Sequence, residues 1–348
     1  MLLSSSTSSL WVPLPEGCIE TDPKNCEEQR GGLFDFDKSS TWKASGLYEL
    51  LLEAESSLGY SGNSLVGFDN ITLGWLRSGG PSFNNTVVTG VAIKDFFTGQ
   101  MGLDSRPVNF TNLNDHYSSL STSLFEAEMI PSPTWSYTAG APYRPNKAYG
   151  SLTMGGYDAA RSHQRHNLTF KIGVDTTRDL LVAITNISSD GKALLNNEIF
   201  PFVNSADPDI WLPLDACAWF EEVFGLKYDN MMDLYLVSDA LHEQLLISNA
   251  NVTISLTSSL PTDAKSSSSA IDINLPYGAL DMVAGYPLAS PTYINATLHY
   301  FPLRRASNSS QYTLGRTFLQ EAYLCVEYGR SNFTVSQTQV PPDPAHPG

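Results

Sequence analysis

The pattern of hydrophobic and polar positions predicts a mostly β chain with few, short helices. Apolar residues recur at helical spacing in two segments, Asp215 to Phe224, which is followed by Gly225, and Asp239 to Ile247. Elsewhere, short β-branched and aromatic runs alternate with Gly, Pro, Asn and Ser, which is typical of strands joined by turns. The clearest predicted strands are the Leu73-Gly74-Trp75 region, Val87 to Ile93, Leu180 to Ile187, Val252 to Leu256 and Tyr323 to Tyr328.

An apolar string near the start of the chain occurs a second time. Leu10-Trp11-Val12-Pro13-Leu14 returns as Ile210-Trp211-Leu212-Pro213-Leu214, 200 positions later, and a cysteine follows each copy. This repeat indicates an internal duplication. In the same register Ser4-Ser5-Ser6 corresponds to Asn204-Ser205-Ala206, and we expect the two triplets to face each other across a pseudo-two-fold axis.

The duplication predicts two similar domains, which agrees with the length of the chain. The predicted parts are an N-terminal β lobe over residues 1–172, a C-terminal β lobe over residues 173–339 and a proline-rich tail over residues 340–348.

The charge balance excludes one large class of partner. The 348 residues include 20 Lys and Arg against 36 Asp and Glu, a formal net charge of −16. Nucleic-acid binding depends on clustered cations that displace phosphate counterions, so we expect no nucleic-acid partner.

No apolar run approaches the roughly 20 residues that cross a bilayer, so the sequence predicts no transmembrane segment.

Sequons point to a secretory history. Nine Asn-x-Ser/Thr sequences occur where random placement would give about four. We therefore expect a glycoprotein that is secreted or displayed on the cell surface, with a signal peptide upstream of Met1. The acceptor asparagines are Asn70, Asn84, Asn109, Asn167, Asn186, Asn251, Asn295, Asn308 and Asn332.

The four cysteines fit disulfides better than a metal site, because no Cys-x-x-Cys or paired histidine spacing accompanies them. Cys18 and Cys26 are close enough in sequence to close a short surface loop. Cys217 and Cys325 are the candidates for a second pair, and four unpaired thiols are the alternative. His163 and His166 lie three positions apart, and we interpret them as part of an exposed loop rather than as metal ligands. The sequence thus predicts no metal and no cofactor.

Six segments of the chain are informative together: Ser9 to Pro13, Cys18 to Cys26, Phe34 to Trp42, Leu58 to Ser64, Gly150 to Asp158 and Tyr312 to Leu319. In this order they resemble the pepsin-like aspartic peptidases, and in particular a divergent, fungal-type member. The resemblance implies a bilobal fold with two similar β lobes around a central cleft, a monomer, and a peptide or protein ligand in the cleft. It also implies a disulfide between Cys18 and Cys26, and a flap whose Tyr60, Gly62 and Ser64 contact the substrate.

The chain departs from that family at the two positions that carry its chemistry. Aligned on Leu10-Trp11, the first catalytic Asp falls on Ser4; aligned on Ile210-Trp211, the second falls on Asn204. The family's two carboxyl groups share one proton, so that one activates a water while the other polarises the peptide carbonyl. A hydroxyl and an amide do not titrate in this range. The sequence therefore predicts an inactive, peptide-binding pseudo-peptidase.

Three other functions compete with this interpretation. In an active aspartic endopeptidase another carboxylate would replace the missing pair, and Asp207, Asp209 and Asp175 are the candidates. Asp207 is three positions out of register, and Asp175-Thr176-Thr177 lacks the glycine that the motif needs. A structural cell-wall glycoprotein would use its glycans and the proline-rich tail. A serine hydrolase is disfavoured because no Gly-x-Ser-x-Gly turn is present.

Overall fold

The computed structural model describes residues 1–50, 52, 54–75, 77–111, 114–258, 269–289 and 298–339. Asn295 and the predicted tail over 340–348 lie outside these residues. The chain divides into two compact units, Met1–Pro133 and Thr134–Gly348. Residues 134–172, which the duplication assigns to the first half, form strands of a sheet in the second unit. No helix among the described residues is both long enough and apolar enough to span a bilayer.

The first unit is built on one sheet with the strand order β1-β6-β2-β5-β4-β3. Its helices are α1 (Cys26–Gln29), α2 (Ala54–Ser57) and α3 (Leu120–Glu126). The strands are β1 (Leu2–Ser4), β2 (Leu10–Pro13), β3 (Lys43–Glu49), β4 (Asn63–Thr72), β5 (Ser82–Val91) and β6 (Gln100–Gly102).

The second unit contains four sheets. Their strand orders are β8-β7-β22-β23-β9, β11-β10-β16-β17, β12-β21-β13-β20 and β14-β15-β19-β18. The strands are β7 (Thr134–Ala141), β8 (Ala148–Met154), β9 (Ser162–Lys171), β10 (Ala183–Ser189), β11 (Lys192–Ala193), β12 (Phe202–Val203), β13 (Ile210–Pro213), β14 (Lys227–Asp229), β15 (Leu234–Val237), β16 (Asn251–Thr257), β17 (Ala270–Pro276), β18 (Met282–Val283), β19 (His299–Phe301), β20 (Leu303–Ala306), β21 (Thr313–Leu314), β22 (Ala322–Glu327) and β23 (Asn332–Thr338). The helices are α4 (Leu214–Phe224), α5 (Asp239–Ser248), α6 (Tyr277–Leu280) and α7 (Arg316–Leu319).

The prediction of a mostly β fold with few short helices is confirmed. Both predicted helices form: α4 ends at Gly225, which has a φ of 69° and so takes the left-handed conformation that glycine favours. α5 begins after Ser238, whose hydroxyl accepts a hydrogen bond from the Leu241 amide at 3.4 Å.

One predicted strand is wrong. β4 ends at Thr72, and the chain turns at Gly74, where φ is 106°. The Leu73 amide then donates to the Pro81 carbonyl at 2.8 Å, closing a loop that carries Trp75 on the surface. The apolar residues of this region therefore belong to a turn rather than to a strand. His163 and His166 also differ from expectation, because their segment lies in β9 and not in a loop.

The two copies of the repeated string sit in the same strand arrangement. β1 runs parallel to β6, while β2 runs antiparallel to β6 and parallel to β5. In the second unit β12 has the same relation to β21, and β13 has the same relations to β21 and β20. This matching topology supports the duplication that the sequence indicates.

The cysteines separate into one bonded pair and two thiols. Cys18 and Cys26 form the expected disulfide. A second pair between Cys217 and Cys325 is wrong, because both are free and buried, Cys217 in α4 and Cys325 in the inner strand β22. Burial raises the pKa of the Cys217 thiol to about 12 and that of Cys325 to about 11. Both therefore stay protonated and unreactive.

Candidate functional site

The residues between β1 and β2, Ser4 to Ser9, are here called the first loop. The Ser4 hydroxyl lies 3.0 Å from that of Ser6, and both side chains are buried. The Ser6 hydroxyl also donates a hydrogen bond to Oε1 of Glu55, which belongs to α2 and is only 4% exposed. A buried carboxylate therefore reaches the first loop from a distant part of the chain.

The corresponding residues between β12 and β13, Asn204 to Asp209, are here called the second loop. The buried Asn204 accepts a hydrogen bond on Oδ1 from the Ala206 amide at 2.9 Å. Arg316 in α7 donates to the carbonyls of Ser205 at 3.1 Å and Ala206 at 2.6 Å. The second loop is thus held by an internal amide contact and by a cation on its backbone oxygens.

A glycine lies behind each loop. A Cβ atom on Gly102 would come within 2.4 Å of the Thr7 carbonyl oxygen, and one on Gly315 within 2.5 Å of the Asp207 carbonyl oxygen. The Gly102 amide donates to the Ser9 carbonyl and the Gly315 amide to the Asp209 carbonyl, each at 3.0 Å. Only glycine allows this close approach.

Asp207 occupies the position that Thr7 has in the first loop. Thr7 Oγ1 accepts from the Ser9 amide at 3.1 Å, and Asp207 Oδ1 accepts from the Asp209 amide at 2.7 Å. The other Asp207 oxygen accepts from the indole N–H of Trp211 at 3.3 Å. Burial and the neighbouring Asp209 raise the pKa of Asp207 to about 7.

The two remaining candidate carboxylates are bound in other ways. Asp209 Oδ2 accepts from Arg304 Nε at 2.7 Å, and both side chains are largely buried. Asp175 lies on the surface, where its Oδ1 accepts from the backbone amide and the hydroxyl of Thr177. Asp175 therefore belongs to an exposed turn, and Asp209 belongs to a buried ion pair.

The predicted flap residues lie between β3 and β4 or at the start of β4. Tyr60 packs on Phe96 with ring centroids 5.5 Å apart, beside the core cluster around Trp11 and Val91. The Gly62 carbonyl accepts from the Leu50 amide at 2.8 Å, and the buried Ser64 hydroxyl donates to the Tyr48 carbonyl at 3.3 Å.

The described sequons are all accessible in part. Asn295 lies outside the described residues, and none of the other eight acceptor asparagines is buried. Those on the open surface are Asn70, Asn84, Asn167 and Asn308, and those partly covered are Asn109, Asn186, Asn251 and Asn332.

Sequence reasoning missed Glu55 and Arg304. Glu55 is separated from Ser6 by 49 positions and Arg304 from Asp209 by 95, so neither contact has a local signature.

Comparisons with known proteins agree with the fold described above. No curated protein matches the chain, but the family model of the eukaryotic aspartyl proteases matches residues 2–340. That match includes both loops, the disulfide and the strands of both units. The chain therefore belongs to the eukaryotic aspartyl protease family.

Proposed function

We propose that this chain is a non-hydrolysing, secreted or cell-surface glycoprotein of the aspartyl protease family that binds a peptide or protein segment in the cleft implied by its family. The observation that carries the proposal is the pair of side chains at the start of the two loops, Ser4 and Asn204. These residues hold equivalent places in the two strand arrangements, and neither is a carboxylic acid.

The chemistry of the family explains why this matters. Peptide hydrolysis here needs one group that takes a proton from water and another that gives one to the substrate. Each such group contributes about 10²–10⁴-fold to the rate. A serine hydroxyl and an asparagine amide retain hydrogen bonding but supply neither proton transfer, so turnover should fall to the level of the uncatalysed reaction.

The carboxylates near the second loop do not compensate for this loss. Asp207 accepts hydrogen bonds from a backbone amide and from Trp211, and Asp209 pairs with Arg304. Both carboxylates are therefore committed to holding the loop. They act as structural groups in this proposal.

An active endopeptidase is the second candidate, because Glu55 brings a carboxylate to the first loop. Its contact with Ser6, which in turn contacts Ser4, would allow one proton to leave a water or hydroxyl in this network. A single carboxylate still lacks the partner that polarises the substrate carbonyl. We therefore favour the non-hydrolysing function.

A cleavage assay separates the two candidates. The full chain is incubated with an unfolded protein between about pH 3 and about pH 7, the range over which carboxylic acids change charge, and products are detected by mass spectrometry. We expect no cleavage above buffer. Pepsin-like activity that disappears in Glu55→Gln, but persists in the exposed control Glu49→Gln, would establish the endopeptidase instead.

A binding assay tests the peptide ligand. Peptides selected from a displayed library are titrated into the full chain, and we expect Tyr60→Ala to weaken binding while the exposed control Trp75→Ala leaves it unchanged. Circular dichroism checks that both variants fold. Statine-type inhibitors should bind weakly, because their hydroxyl contacts a carboxylate pair in the family. A wall-bound product that captures no peptide would favour the structural glycoprotein.

A further inference from the structure

Three metal-ligating side chains meet in the second unit, away from both loops in sequence. His242 lies in α5, Asp281 directly follows α6, and His299 opens β19. Asp281 Oδ1 lies 3.1 Å from His242 Nδ1 and 3.2 Å from His299 Nδ1. The two imidazole rings stack with centroids 3.7 Å apart. The fold therefore gathers two nitrogens and one oxygen from three separate elements.

The two oxygen–nitrogen separations match edges of a metal coordination shell, and the three ligand atoms all lie within 4.8 Å of one another. Zinc binds imidazole nitrogen at about 2.0–2.1 Å in a tetrahedron, so neighbouring ligand atoms lie about 3.3 Å apart. The three side chains are 16% to 21% exposed, so solvent can reach them. An ion held here would have three protein ligands and a fourth position open to solvent.

The charge of the cluster also favours a cation. No described Lys or Arg nitrogen lies within 4.0 Å of Asp281, whose only ionic neighbours among the described residues are the two histidines. With neutral imidazoles the cluster carries a net negative charge. A divalent cation would compensate this negative charge, as Arg304 compensates the charge of Asp209 in the second loop.

Two buried polar atoms at the cluster lack hydrogen-bond partners among the described residues. His242 Nδ1 is close to Asp281, but no hydrogen bond of acceptable geometry joins them or reaches another described group. The hydroxyl of Tyr277, whose ring centroid lies 6.5 Å from that of His242, is unpartnered as well. Buried polar groups without partners are rare in native folds.

We propose that His242, Asp281 and His299 form a binding site for a divalent transition-metal ion of the zinc class. Two imidazoles and one carboxylate suit zinc, whereas magnesium and calcium require shells made mostly of oxygen. The ion would join α5, the end of α6 and β19, and so would stabilise the folded second unit by binding it in preference to the unfolded chain. This inference does not rest on the proposed function.

Isothermal titration of the metal-stripped full chain with zinc chloride tests the site. We expect one zinc ion per chain at this site, and at least a tenfold loss of its affinity in Asp281→Asn and His299→Gln, since losing even an outer-shell partner costs about 10–100-fold. Two controls should leave its affinity unchanged. Glu243→Gln changes an exposed charge beside His242 on α5, and His166→Gln removes a histidine from β9. Magnesium and calcium should bind far more weakly.

A second readout separates metal binding from a loss of folding. Thermal unfolding of the wild type should shift upward when zinc is added and return when a chelator is added, while Asp281→Asn should unfold at one temperature under both conditions. Cobalt bound in place of zinc should give the strong visible absorption of a tetrahedral site. The proposal is overturned if folded Asp281→Asn and the wild type bind zinc equally, or if zinc leaves the wild-type midpoint unchanged.

Discussion

The two loops share one backbone arrangement but satisfy their polar side chains in opposite ways. The first loop contains only serines and a threonine, and its acid, Glu55, comes from α2. The second loop carries two acids of its own, Asp207 and Asp209; Arg304 pairs with Asp209, while Arg316 donates to the backbone carbonyls of the loop. The first loop thus receives its carboxylate from another element, whereas the second loop contains its own carboxylates and receives cations from other elements.

This comparison shows which features hold the loops in shape. The glycine contacts behind each loop and the paired amide bonds at Thr7 and Asp207 are common to both. The side chains at Ser4 and Asn204 are not. The frame of the fold thus depends on backbone hydrogen bonds and close packing, and it tolerates changes at the positions where the family carries its catalytic acids.

The largest effect should come from removing Arg304, the ionic partner of Asp209 in the second loop. Arg304→Met leaves Asp209 buried without its ionic partner, and breaking one side of a buried ion pair costs about 3–5 kcal/mol. Urea unfolding measures the change in the free energy of unfolding. The surface control Arg330→Gln, whose side chain is 78% exposed, should cost at most about 1 kcal/mol. Equal costs for the two variants would show that Arg304 does not hold the loop.

The next effect concerns pH. Because the pKa of Asp207 is raised from 3.8 to about 7, the folded chain binds more protons than the unfolded chain between these values. Stability from this residue is therefore greatest below about pH 4 and is lost as the pH rises to about 7. Asp207→Asn removes the titration, so it should gain about 4 kcal/mol of stability relative to the wild type between about pH 4 and about pH 7.

Thermal unfolding at a series of pH values measures that difference. A difference between Asp207→Asn and the wild type that does not change with pH would contradict a buried, titrating Asp207 in the second loop.

A double-mutant cycle measures the interaction between Glu55 and Ser6 of the first loop. Ser6→Ala and Glu55→Ala each remove one side of a buried hydrogen bond, and we expect a coupling energy of about 1–2 kcal/mol between them. Glu49→Ala, in an exposed part of β3, should show no coupling with Ser6→Ala. Absence of coupling for Glu55 would mean that the first loop is held without a carboxylate.

The smallest effect compares the two repeated tryptophans directly. The Trp211 indole N–H donates to Asp207, whereas the buried Trp11 indole N–H has no hydrogen-bond partner among the described residues. Trp211→Phe and Trp11→Phe lose similar apolar contact, but only the first loses a hydrogen bond. Trp211→Phe should therefore lose about 1 kcal/mol more of the free energy of unfolding than Trp11→Phe, as measured by urea unfolding. A greater cost at Trp11 would reverse this part of the comparison.

The elements that follow the two loops could be predicted from the sequence, because each depends on residues that are near one another in the chain. The repeated Trp-x-Pro-Leu string identified the two equivalent segments that form β2 and β13, and Gly225 and the apolar spacing before it identified α4. Each of these features depends on residues a few positions apart.

The polar partners could not be predicted because they depend on tertiary contacts. Glu55, Arg304 and the cluster of His242, Asp281 and His299 join residues that are far apart in sequence. The expected pairing of Cys217 with Cys325 failed for the same reason, since an even cysteine count does not say which elements bring the thiols together. Similar apolar strings can therefore follow loops whose charged contacts differ.

The central claim is that the side chains at the starts of the two loops abolish hydrolysis. Its most direct test is a side-by-side cleavage assay of the wild type and the double variant Ser4→Asp with Asn204→Asp, on one unfolded protein in acidic buffer. We predict cleavage by the double variant alone, because only it carries a carboxylic acid at the start of each loop. Acid-dependent cleavage by the wild type at a rate equal to that of the double variant would contradict the account.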